Sequence, residues 1–198
     1  MSTLDLTTSL DNGYYMAFTV WFTGLPASGK TTLAKLVFDT VRTQTANVEL
    51  FDSDVFAFTG YLDDLGDYSA VTRDVSTRIL AMVSSLLNKH GISCIVAATS
   101  PRLSIRERNR KLIQHYIEVY CKCSLRVAEK RDSKGLYKVA REGLISDFTG
   151  IGERYEEPPA PEILIDTEAT SIPDSFQIIR KYLEEHHYIQ SIKEENIL

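Results

Sequence analysis

Short apolar runs alternate with longer stretches in which apolar residues recur every three or four positions, and this rhythm predicts the fold. Phe18 to Phe22, Val48 to Phe51, Ile92 to Ala98, Tyr116 to Tyr120 and Ile163 to Ile165 read as strands. Thr32 to Arg42, Ala70 to Lys89, Leu103 to His115, Leu125 to Arg131 and Pro173 to His186 read as helices, several of them preceded by Ser, Thr or Asp. The strands are continuously apolar rather than alternating, so both faces of the sheet are covered, as in a parallel sheet flanked by helices. The expected class is α/β: a three-layer fold with a central parallel sheet of about five strands and ligands at the carboxyl ends of the strands.

One stretch interrupts the rhythm. Residues 132 to 161 are rich in Gly, Pro and charge yet carry Leu136, Tyr137, Ile145, Phe148, Ile151 and Tyr155 as apolar anchors. A long loop of this kind reads as a mobile lid, which excludes water from a reacting centre. The expected division is a flexible arm over 1–16, one domain over 17–187 and a tail over 188–198, the chain beyond Glu184 reading as a fraying amphipathic helix.

Composition narrows the function. Of 198 residues 43% are hydrophobic, enough for one core, and the net charge of −5 argues against a general nucleic-acid binder. The three cysteines form neither a paired set nor a zinc spacing, and adjacent His186 and His187 diverge on a helix, so no structural metal is expected. With no basic leader and no long apolar stretch, the protein is expected to be cytoplasmic, with no membrane association.

The chemistry begins at Gly24-Leu25-Pro26-Ala27-Ser28-Gly29-Lys30-Thr31, which completes the G-x-x-x-x-G-K-[ST] pattern between a strand and a helix. Loop N–H groups, including those of Ala27, Ser28 and Gly29, together with the helix N-terminus at Thr32, would cradle the phosphates of ATP. Lys30 supplies a cation and Thr31 a hydroxyl for Mg²⁺. At the end of the second strand, where an enzyme of the expected P-loop NTPase fold needs acid groups, Asp52 and Asp54 lie one residue apart; one can hold the water shell of Mg²⁺ while the other takes a proton from the attacking hydroxyl or orients it. A third group is cationic, with Arg73 and Arg78, then Arg102, Arg106 and Arg110 after the third strand, and a run from Lys122 to Lys138; most of these read as solvated surface, and Arg73, Arg78, Arg131 and Lys134 are singled out because each adjoins a Gly-rich or aromatic element.

Several motifs in order carry a resemblance to the adenylylsulfate (APS) kinases: Trp21-Phe22-Thr23-Gly24-Leu25, Asp52-Ser53-Asp54, Asp64-Leu65-Gly66 with Tyr68-Ser69, Ser100-Pro101, the run Arg131 to Lys138, and Phe148-Thr149-Gly150-Ile151 followed by Tyr155-Glu156 and Pro158. The resemblance implies transfer of the γ-phosphate of ATP to the ribose 3′-hydroxyl of adenylyl sulfate. Lys30 and Thr31 would serve ATP and Mg²⁺, and Arg131 would lie against the adenine with Lys134 nearby. Asp54 would face the acceptor hydroxyl, Tyr68 and Phe148 would sandwich the acceptor base, and Arg73 would hold its anionic bridge. Arg78, Ser100, Gly135 and Leu136 complete the expected acceptor side, and a homodimer is implied.

The departures from the family pattern fall on that side. Asp54-Val55-Phe56-Ala57 stands where the family has Asp-Asn-Val-Arg, Ser76 replaces an asparagine, Ser146 a lysine, Asp67 is an extra residue, and Ala97-Ala98 are small. They motivate a second reading in which the acceptor is another activated nucleotide, such as a cytidine diphosphate-linked phosphoramidate. A third is a non-catalytic nucleotide-binding domain.

Overall fold

The computed structural model describes residues 16–53 and 70–191. Five parallel strands form one sheet in the order β2-β3-β1-β4-β5. In chain order these are β1 (Thr19–Thr23), β2 (Val48–Asp52), β3 (Ser93–Ala97), β4 (Tyr116–Lys122) and β5 (Ile163–Asp166). The helices are α1 (Lys30–Gln44), α2 (Ala70–Lys89), α3 (Leu103–Leu112), α4 (Leu125–Lys130), α5 (Leu136–Arg141) and α6 (Ile172–Glu185).

The central strands β1 and β3 are buried along their whole length because both of their faces are covered. In β1, Val20 and Phe22 join Leu33, Ala34 and Val37 of α1 and Ile179 and Leu183 of α6 in one core, to which β4 and β5 add Val119 and Ile165. Trp21 points the opposite way, into a second core with Leu80 and Ala81 of α2, Val96 of β3, and Ile113. Alternate β1 residues therefore feed different layers, which gives the three-layer architecture its physical basis. The edge strand β2 is less covered, with Glu49 exposed.

Helix boundaries follow local chemistry. Ser171 caps α6 by accepting from the Asp174 N–H at 3.2 Å, with Pro173 in the first turn. Ser124 caps α4 through the Val127 N–H at 3.3 Å. Within the described residues, up to 191, the chain after Glu185 turns at His187 (φ 58°), sets Tyr188 against Phe18 with ring centroids 5.1 Å apart, and buries Ile189, in place of the expected fraying helix. Gln44 and Gln190 exchange two hydrogen bonds of 2.8 and 3.1 Å, tying this segment to the end of α1.

The lid segment is more ordered than a long loop. It contains α5 and a third apolar cluster in which Tyr137 and Phe148 meet edge-on at 4.9 Å, backed by Ala128 and Ala140. Among the described residues no helix is long and apolar enough to cross a membrane.

Candidate active site

The P-loop hangs from the carboxyl end of β1, the central strand, and takes a shape that ordinary residues resist. Gly24 has φ 141° and Gly29 φ 95°, while Ala27 accepts a left-handed φ of 60°. A Cβ on Gly24 would lie 2.4 Å from the Cys121 carbonyl oxygen of β4, so only glycine lets the loop leave the strand there. Gly29 then caps α1 with no side-chain acceptor, leaving the first N–H groups of the helix for an anion.

Lys30 is 9% exposed, and its ammonium group donates to the Gly24 and Leu25 carbonyls at 3.2 and 2.8 Å. The loop thus carries its own cation across its mouth. The Thr31 hydroxyl donates to Asp52 Oδ2 at 2.8 Å, joining the first turn of α1 to the end of β2. Beneath the loop, burial pushes the Cys121 thiol up to about 12 although the Lys30 charge opposes it, so that thiol stays protonated and inert.

These groups open onto a cleft of about 1310 Å³ at the carboxyl ends of the strands. Of the residues expected from sequence, Ala27, Gly29, Lys30, Thr31, Thr32, Asp52, Arg131 and Lys134 line it. Arg73, Ser100, Leu136 and Phe148 line it as well. Gly24, Ser28 and Gly135 shape the surrounding loops without reaching the wall; Gly135 has φ 69° and begins α5. Asp54 and Tyr68 lie outside the described residues.

Arg78 corrects an expectation. Its side chain is 62% exposed, pairs with Asp74 one turn away at 2.8 Å, and is absent from the cleft wall. Burial would raise the Asp74 carboxyl, but hydrogen bonds from Arg78 and Arg108 outweigh it and hold the group below its ordinary value. Arg73, five residues earlier on α2, reaches the segment expected as a lid instead: it donates to the Asp147 carbonyl and pairs with Glu153 at 2.6 Å. Glu153 also accepts from Arg102 at 2.7 Å.

The lid is fastened at both ends. Arg131 donates to the Thr167 carbonyl at 2.8 Å and hydroxyl at 3.2 Å, holding the start of the lid to the chain after β5. Asp132 accepts from the Lys134 and Tyr137 N–H groups, folding the turn into α5, and the Tyr137 hydroxyl donates to the Pro26 carbonyl of the P-loop at 3.0 Å. Burial raises the Tyr137 and Tyr155 phenols, so both keep their protons. At the far end Tyr155 stacks on Tyr120 at 5.5 Å and shares a 2.9 Å hydrogen bond with Thr23.

Two groups of residues escaped the sequence reading. Thr167 to Ile172 and Ser175 form a wall of the cleft; their place just after a strand's carboxyl end was the available signal. Arg106, not singled out from the cationic group, is 2% exposed and pairs with Glu118 at 2.9 Å, because α3 lays it against β4. Burial lifts the Glu118 carboxyl despite the opposing charges of Arg106 and Arg110.

The family model described as adenylylsulphate kinase matches residues 16–166. The adenylyl-sulfate kinase of Synechococcus sp. (strain JA-3-3Ab) is 38% identical over 172 residues, which is 87% of this chain and 97% of the relative. A probable bifunctional SAT/APS kinase 2 of Sorangium cellulosum (strain So ce56) is 40% identical over 172 residues; the match takes in 87% of this chain but spans only 29% of that longer protein. Among solved structures, the Mycobacterium tuberculosis APS kinase CysC in complex with AMPPNP and APS gives a TM-score of 0.76 at 34% identity, covering 86% of this chain and 99% of the other. A P-loop coupled to a strand-end carboxylate on the wall of one cleft is thus accompanied by agreement along most of the sequence, and the chain belongs to the adenylylsulphate kinase family.

Proposed function

We propose that this protein is an ATP-dependent kinase that phosphorylates the ribose 3′-hydroxyl of adenylyl sulfate, giving 3′-phosphoadenylyl sulfate and ADP. The observation that carries the reading is one cleft lined by Lys30, Thr31 and Asp52 together with Arg73, Ser100 and Phe148, in a member of this family. Its 1310 Å³ exceeds the roughly 300–1,000 Å³ of an ordinary small-molecule pocket and suits two nucleotides.

Phosphoryl transfer asks the protein mainly for alignment and for fixed positive charge around the moving group. The P-loop N–H groups and Lys30 bind the ATP phosphates, and Arg131 with Lys134 closes the donor end. Thr31 Oγ1 and Asp52 Oδ2, 2.8 Å apart on the cleft wall, form the small hard-oxygen donor set that suits Mg²⁺, which keeps most of its waters. When bound, Mg²⁺ neutralises charge on the phosphates. Arg73 and Phe148 receive the acceptor, and Asp54 takes the proton from its 3′-hydroxyl. Relatives named as adenylyl-sulfate kinases favour this acceptor over a cytidine diphosphate-linked phosphoramidate.

A cytoplasmic homodimer completes the proposal. Val71, Ile79, Met82 and Leu86 are exposed along one face of α2, an apolar stripe that a second copy could cover. Coupled measurement of ADP release with adenylyl sulfate tests the reaction. Asp54→Asn should leave ATP-analogue affinity nearly intact while turnover falls steeply; unchanged turnover would remove Asp54 from its role.

A further inference from the structure

We infer that Arg106 is a positioning residue that sets the acceptor-side wall of the cleft and the far end of the lid together; the inference rests on the reading given under Proposed function. Its guanidinium joins parts of the chain that are far apart in sequence. One nitrogen, Nη1, donates to the Ser100 carbonyl at 2.5 Å, and Nη2 donates to the Glu156 carbonyl in the last part of the lid. Nε forms an ion pair with Glu118 of β4 at 2.9 Å, and Cζ lies over the Tyr155 ring, 5.2 Å from its centroid. A planar fork with five donors can make these contacts at once, whereas a lysine ammonium cannot span them.

The backbone it holds is unusual. Ser100 lines the cleft in a left-handed conformation, φ 44°, and its hydroxyl accepts from Trp21 Nε1 at 3.1 Å. Such a conformation in a non-glycine residue persists when its surroundings over-determine it, and here Arg106 grips the carbonyl while Trp21 grips the side chain. The donor end has separate fastenings: Lys30 on the P-loop carbonyls, Thr31 on Asp52, and Tyr137 on Pro26. Loosening Arg106 should therefore act on one end of the cleft.

The test compares equilibrium binding of adenylyl sulfate and of a non-hydrolysable ATP analogue to the full chain and to Arg106→Lys, with turnover of the unaltered chain measured alongside. Loss of a charge-assisted grip should weaken adenylyl sulfate about tenfold or more while analogue affinity changes by less than about twofold. Should Arg106→Lys fail to fold, Arg106→Met combined with Glu118→Leu replaces the buried pair by apolar side chains of similar volume, a change that commonly preserves stability; the same one-sided loss is expected. Equal weakening of both ligands, or no weakening of either, overturns the inference. An unaltered chain that binds adenylyl sulfate without transferring phosphate overturns the proposed reaction alone, and one that does not bind it overturns both.

Discussion

Replacing Gly24 by alanine tests whether the start of the P-loop is as tightly built as its surroundings indicate. The added Cβ would lie 2.4 Å from the Cys121 carbonyl oxygen and 2.9 Å from Ser28 Oγ, whereas ordinary contact begins at 3.4 Å. The loop must therefore retreat by about 1 Å. Cys121 cannot yield, because β4 is paired on both sides, with β1 and with β5. The φ of 141° adds strain for any residue with a Cβ. Backbone strain of roughly 1–3 kcal/mol and overpacking of roughly 1–3 kcal/mol together give about 2–6 kcal/mol. At roughly 2–4 °C per kcal/mol for a domain of this size, Tm should fall by about 4–24 °C. A displacement near 1 Å of groups that align the phosphates should also cost about a hundredfold in turnover. Thermal unfolding with and without an ATP analogue reads the first effect, and steady-state kinetics the second. A Gly24→Ala protein with Tm within about 2 °C of the parent and unaltered turnover would refute the argument, since the loop would then have room that the structure denies it.

Tyr137→Phe removes only the hydroxyl donated to Pro26, and should cost about 1 kcal/mol, a Tm shift of roughly 2–4 °C in calorimetry. Arg78→Ala should leave turnover within about twofold of the parent, because the side chain is solvated and outside the cleft, whereas a tenfold rise in the KM for the acceptor would return Arg78 to the site. Burial raises the Cys94 thiol to about 11 and the Cys121 thiol to about 12, above the ordinary 9.0. The folded protein then binds more thiol protons than the unfolded chain once pH passes 9, so stability is full below that point and falls as pH rises toward 11 to 12. Urea midpoints at pH 8 and pH 10.5 should show the decline, and an equal or higher midpoint at pH 10.5 would contradict it.

Elements whose cause is local could be read from the chain. All five strands and α1, α2, α4 and α6 lie within a few residues of their expected places, because burial on both sheet faces leaves an apolar run and each amphipathic helix leaves a three-and-four spacing. The P-loop was legible for the same reason, its glycines and Lys30 being contiguous. What escaped depends on partners distant in sequence. The six-residue α5 begins at a glycine and gains its stability from Tyr137 packing on Phe148 and from Asp132 accepting the Tyr137 N–H. Arg106 looks like any charge on a polar helix until Glu118, on the neighbouring strand, is placed beneath it. Arg78 erred in the other direction: proximity to an aromatic motif in sequence says nothing of which side of the helix faces the cleft, and Asp74 draws it outward.

The position of β1 between β3 and β4 bears on how the protein is made. Thr19 aligns with Cys94 on one side and Tyr116 on the other, so the strand that carries the P-loop emerges from the ribosome long before either neighbour exists. Such non-local pairing is slow to form, since chain entropy is spent before contacts repay it. The carbonyl that packs against Gly24 belongs to Cys121, and the residue that pins Arg131 is Thr167. A nascent chain released before Cys121 therefore has no finished seat for a phosphate, and ATP in the cell cannot favour its folding by binding to it. Nucleotide can act as a stabiliser only on a chain that is nearly complete.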